Sequence, residues 1–143
     1  MKKVLILLAM MSLQLVSAQE AEAKKAVETF FTAFNKADVT TVKSVCAEKM
    51  ILQSVEVHTI GNKFTEETDT KFYAWLQSMT GKVNFEERTK DYKVVTDGHI
   101  AHVWVNYEFY VGGVFSHKGV DSFELVKFKD GWKIVYLIDT RMP

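Results

Sequence analysis

The sequence predicts an α+β domain in which about three N-terminal helices cover one face of a curved antiparallel β-sheet. Three observations point there. Apolar residues recur at helical spacing as far as Met79, β-branched runs take over after Val83, and three turn dipeptides punctuate the second half. Helices first and a meander last is an α+β order, because each layer must bury one face against the other.

Residues 1–18 read as an export signal that precedes the domain. Lys2 and Lys3 give a basic start, Val4 to Met11 with Leu13 and Leu15 an apolar core, and Val16 and Ala18 the small residues of a cleavage site. Cleavage is expected between Ala18 and Gln19. The apolar run is shorter than the roughly 20 residues of a membrane span, and no cysteine stands at the cleavage point to carry a lipid. The expectation is therefore an exported protein, periplasmic or secreted, with no membrane attachment after cleavage and a single domain over 19–143. The chain has 18 basic and 18 acidic residues, so losing Lys2 and Lys3 leaves 16 against 18. That balance, with no basic stripe, argues against nucleic acid as a partner. Cys46 is the only cysteine, which rules out an internal disulfide, and its place on the apolar side of a predicted helix points to burial.

The first helix is expected over 20–36, where Val27, Phe30, Phe31 and Phe34 make one apolar stripe. Asp38 is placed to cap a second, short helix with Val39, Val42, Val45 and Cys46 facing inward. Met50 to His58 alternates as a strand, and Gly61-Asn62 marks a turn. A third helix is expected from Thr65 to Gly81, with Glu66, Glu67 and Asp69 at its positive end and Phe72, Trp75, Leu76 and Met79 buried. The dipeptides Asp97-Gly98, Gly112-Gly113 and Asp130-Gly131 then divide four long strands, about 83–96, 99–111, 114–129 and 132–141. Long adjacent hairpins twist and curl.

The wording of the two ends is also familiar. Phe30-Phe31-Thr32-Ala33-Phe34-Asn35-Lys36-Ala37-Asp38 resembles the opening of the nuclear transport factor 2-like superfamily. Gly119 to Lys127 and Asp130-Gly131-Trp132-Lys133-Ile134 resemble its close. The resemblance, which spans nearly all of 20–141, implies a cone of curved sheet closed by helices around a pocket. Its members include ketosteroid isomerase, dehydratases, polyketide cyclases of the SnoaL-like kind, and secreted proteins described as lumazine-binding. One fold serving so many activities implies none of them in particular.

Hairpin pairing predicts which side chains share a face. With two-residue turns at Gly112-Gly113 and Asp130-Gly131, one face collects His102, Trp104, Asn106, Glu108, His117, Asp121, Phe123, Leu125, Tyr136 and Ile138. The other collects Val103, Val105, Tyr107, Phe109, Val126, Phe128, Val135 and Leu137. The first set mixes aromatics with a few polar groups, as pockets do, and is expected to face the interior together with Phe34 and Trp75. The second is expected to be a homodimer surface. A bulge in either hairpin would invert these assignments.

The expected function is binding of a small planar or aromatic ligand, with no cofactor, no metal and no committed catalytic residue. The alternative is an isomerase, cyclase or dehydratase that uses Asp121 with His117 or Glu108. The resemblance implies that Asp121 corresponds to a carboxyl protonated by apolar surroundings. It also implies a general base near Ser54 and a tyrosine near Phe30–Phe31, and neither residue type is present there. A third reading is a dimeric scaffold with a vestigial cavity. His99 and His102, three apart on a strand, point to opposite faces and cannot chelate together. A metal would need His102, Glu108, His117 and Asp121 to converge. Glu56, His58 and Asp139 are expected on a solvated rim.

Overall fold

The computed structural model describes residues 2–143, with side chains from residue 16 onward. Met1 and the side chains of the expected leader through Leu15 lie outside the described residues. Helices α1 (Lys2–Phe34), α2 (Val39–Val45) and α3 (Asp69–Ser78) accompany strands β1 (Cys46–Glu56), β2 (Lys63–Thr68), β3 (Phe85–Thr96), β4 (Ile100–Val111), β5 (Val114–Phe128) and β6 (Gly131–Arg141). The six strands form one sheet in the order β2-β1-β6-β5-β4-β3, not closed into a barrel. Every pairing is antiparallel except β1 with β6, so the sheet is mixed.

Helix α1 stops because Ala37 adopts φ 51°. Ala37 N–H then donates to Phe34 O (2.9 Å) and Asp38 N–H to Ala33 O (2.9 Å), a reversal glycine usually makes. Asp38 caps α2 as expected, its Oδ1 accepting from Thr41 N–H at 3.1 Å. Two local expectations are corrected. Cys46 is the first residue of β1 rather than part of the α2 stripe, although it is buried. The segment Lys63–Thr68 is a strand folded back on β1 around Gly61-Asn62, and α3 begins only after it, capped by Thr68 Oγ1. The acidic pair Glu66-Glu67 suggested a helix start, but hairpin pairing with Gln53 and Leu52 prevails.

The core lies between α1 and the concave face of the sheet. Phe30 packs edge-on against Phe31 and Phe123 and stacks on Phe72, with ring centroids 5.6, 5.6 and 6.2 Å away. Val103, Val105, Phe123, Leu125 and Ile134 beneath them are completely buried.

Three bulges decide which side chains reach that face. In β5, Ser116 is an extra residue, so Tyr110 pairs with Phe115 but Phe109 pairs with His117. In β6, Val135 is extra, so Leu125 pairs with Ile134 but Glu124 with Tyr136. In β3, Asp91 (φ 57°) and Tyr92 together span the step opposite Val105. Each bulge shifts the two-residue alternation by one.

Candidate functional site

The bulges split the predicted interior set in two. His117, Gly119, Asp121, Phe123 and Leu125 of β5 face inward, but their β4 partners are Phe109, Tyr107, Val105, Val103 and Ala101. His102, Trp104, Asn106 and Glu108 therefore lie on the convex outside. His102 bonds Glu124 at 2.7 Å, Trp104 is 42% exposed, Asn106 donates to Asp91, and Glu108 pairs with Lys90 at 3.1 Å. Tyr136 also leaves the interior, its hydroxyl bonded to Gln53 Oε1. Leu137 and Asp139 take the inward positions of β6, which corrects both the Tyr136 and the rim Asp139 assignments. His102 and Glu108 are thus separated by the sheet from His117 and Asp121, and those four residues cannot converge on a metal.

What does converge is a hollow of about 600 Å³ under α1 and α3. Phe30, Phe31 and Phe34 of α1 and Phe72 and Trp75 of α3 line it from the helices. Phe34 is buried as its spacing placed it; Trp75, expected in the buried stripe, lines the hollow but is 39% exposed, its ring 6.0 Å from that of Phe34. Opposite stand Ser54 of β1, Glu87 of β3, Tyr107 of β4, His117 and Asp121 of β5, and Asp139 and Arg141 of β6. Glu87 escaped the sequence reading, yet it shares a face with Phe85 by simple alternation, and Phe85 is buried. Asp139 and Arg141 were hidden by the Val135 bulge.

These polar groups are held from several directions. Asn35, just past the end of α1, clasps the backbone of Glu87. Its Nδ2 donates to Glu87 O at 2.9 Å and its Oδ1 accepts from Glu87 N–H at 2.8 Å. Asp139 accepts from Ser54 Oγ and from Arg141 Nε (2.8 Å), and Arg141 Nη2 reaches Ser54 Oγ at 3.0 Å. Tyr107 donates its hydroxyl to Thr140 O at 2.7 Å. That bond is possible because Gly119, between them, has no side chain: a Cβ there would lie 1.7 Å from Thr140 O.

The charges in the hollow are far from their ordinary state. Asp121 is 4% exposed. Burial, and then the negative charge of Glu87, push its carboxyl well above the usual range. Burial likewise pushes Glu87 up to about 7, although the hydrogen bond it receives from Asp121 acts the other way. Both shifts have the directions expected if Asp121 keeps its proton and donates it to Glu87. Burial and the nearby Arg141 lower the His117 imidazole, which favours its neutral form, stacked on Phe109 at 4.9 Å. Burial raises the Tyr107 phenol, which stays protonated.

No family model and no curated protein matches the sequence. Solved structures do. A nuclear transport factor 2-like protein of unknown function from Pseudomonas putida KT2440 superposes with a TM-score of 0.68 at 11% identity, covering 87% of each chain. This is the nuclear transport factor 2-like fold. A second nuclear transport factor 2-like protein, from Shewanella baltica OS155, aligns at TM-score 0.61 and 15% identity over 86% of this chain and 93% of its own. A protein with a cystatin-like fold from Nostoc punctiforme PCC 73102 aligns at 0.66 and 11% over 86% and 90%. At such identities the nuclear transport factor 2-like likeness is one of architecture, and the chemistry must be argued from the residues in the hollow.

Proposed function

We propose that the interior of the cone binds a small organic molecule with a flat apolar body and a polar end. One observation carries this reading: a hollow of about 600 Å³ has aromatic rings on one side and a buried, proton-sharing acid pair on the other. Pockets for small ligands are built this way, with apolar walls for affinity and a few convergent polar groups for orientation. The test is a nuclear magnetic resonance screen of flat heterocycles, followed on backbone amides. Shifts clustered at Phe34, Phe72, Trp75 and Asp121 support the reading. A screen in which no compound moves those residues, or in which shifts scatter over the convex face, overturns it.

The acid pair also favours a second reading, acid–base catalysis on the bound molecule. A carboxyl that titrates near 7 can take and return a proton at neutral pH. Asp121 would then act with Glu87, since Glu108 is on the outside. Turnover of a bound compound by wild type, lost at retained affinity in Asp121→Asn, indicates an enzyme; binding with no turnover in wild type indicates binding alone.

Two surroundings of that function are proposed with it. The leader-like residues 1–18 are proposed to direct export, which N-terminal sequencing of the mature protein tests. The convex face, where Val95, Ile100 and Trp104 are exposed, is proposed as the pairing surface of two copies. There Trp104→Lys is expected to give monomers in sedimentation.

A further inference from the structure

The polar side of the hollow has more acceptors than donors. Several of its donors are engaged within the protein: Arg141 Nε and Nη2 on Asp139 and Ser54, Ser54 on Asp139, and Tyr107 on Thr140 O. Among the described residues Asp121 Oδ2 is a buried acceptor with no partner, on a residue that lines the hollow. A buried oxygen without a partner is costly, so a donor brought by a ligand would be favoured there.

Charge points the same way. The groups that face Asp121 are Glu87 and Tyr92 from β3, Tyr107 from β4, His117 from its own strand, and Asp139 and Arg141 from β6. Three carboxyls thus meet one guanidinium, with the phenols protonated and the imidazole neutral. The proton between Glu87 and Asp121 lessens that imbalance. It also leaves Asp121 unable to donate elsewhere, because its hydroxyl is spent on Glu87.

From this surplus of acceptors we propose that the pocket's ligand is a planar nitrogen base, bound as a cation that directs N–H donors at Asp121 and Glu87 and displaces the proton between them. The proposal rests on the pocket reading above and specifies the chemical class of its ligand. The cation enters with its own hydrogens. The proton that bridged the acids leaves to solvent, and the two carboxylates then each accept an N–H. The aromatic wall of Phe34, Phe72 and Trp75 takes the flat body, where a cation over the rings gains further attraction.

Calorimetry of the full chain against three probes of one shape tests this: a naphthyl amidine, its neutral amide and its carboxylate. The amidine is expected to bind at least tenfold more tightly than the amide. Its affinity should rise with pH as the displaced proton becomes easier to lose, and its heat should depend on the buffer in the manner of proton release. The carboxylate is expected not to bind. Asp121→Asn and Glu87→Gln are each expected to remove the amidine's preference, with amide binding as the internal control that the variants fold. If the amide or carboxylate binds as tightly as the amidine, or no proton is released, this proposal fails while the pocket reading stands. If none of the three binds, both fail.

Discussion

Asn35 holds Glu87 by both of its backbone polar groups, so the loop after α1 fixes the position of an acid in the pocket. The clasp joins two segments 52 residues apart and competes with no other pairing of β3 at that point. Asn35→Ala is expected to cost about 1–3 kcal/mol, since it leaves Glu87 N–H without its partner. Urea denaturation reads this directly, and a variant as stable as wild type would show the clasp to be incidental. Asn35→Asp, which keeps the acceptor but not the donor, is expected to fall between the two.

Stability should decline as pH rises through neutrality. Both Glu87 and Asp121 have folded values above their ordinary ones. The native state therefore keeps a proton that the unfolded chain has released. This contribution is fully present below about pH 4; the part due to Glu87 is lost as pH rises through about 7 and the part due to Asp121 as pH rises through its own raised value, at no more than about 1.4 kcal/mol per pH unit for each proton. Denaturation midpoints measured at about pH 5 and about pH 8 should differ in that direction, and Glu87→Gln should flatten the difference. A midpoint that climbs over this range in wild type, with Glu87→Gln behaving identically, would contradict the shared-proton arrangement.

Gly119→Ala is expected to be severely destabilising. The added carbon meets Thr140 O at 1.7 Å and Tyr107 Cε1 at 2.9 Å, and the first of these is backbone that cannot swing aside. A cost of about 3 kcal/mol is expected from such overpacking. Thermal melting should show it, together with loss of protection at the Val120 amide, which donates to Thr140 Oγ1.

Ala37→Gly should act in the opposite direction. Ala37 holds a left-handed φ of 51° where its Cβ is strained, and glycine has no such penalty. The gain is expected to be a few tenths to about 1 kcal/mol after the greater freedom of glycine in the unfolded chain is counted. Ala37→Val should lose stability, and the ordering Gly, Ala, Val in melting temperature checks the argument.

Much of the architecture was legible because it rests on periodicity. Phe30, Phe31 and Phe34 recur at helical spacing, and Gly112-Gly113 is a two-residue turn with both φ angles positive. Phe34, Trp75, His117 and Asp121 were accordingly placed at the pocket. The rest depended on bulges at Ser116, Val135 and Asp91, ordinary residues whose side chains carry no turn signal. One extra residue exchanged Trp104 for Val105 and Tyr136 for Leu137, because alternation transmits a slip along the whole strand. The strand Lys63–Thr68 was missed for a different reason. Its acidic residues suit a helix start as well as an exposed hairpin, and only pairing with β1 decides between them.

The parallel seam between β1 and β6 also bears on how the chain is made. The last strand lies between β1 and β5, so β1 and β2 have no place in the sheet until residues near the C-terminus have been synthesised. A ribosome therefore releases the helices and the first hairpin long before their template exists. Contacts so distant in sequence slow folding, and the apolar face of the N-terminal half stays uncovered by its sheet until β6 has been made.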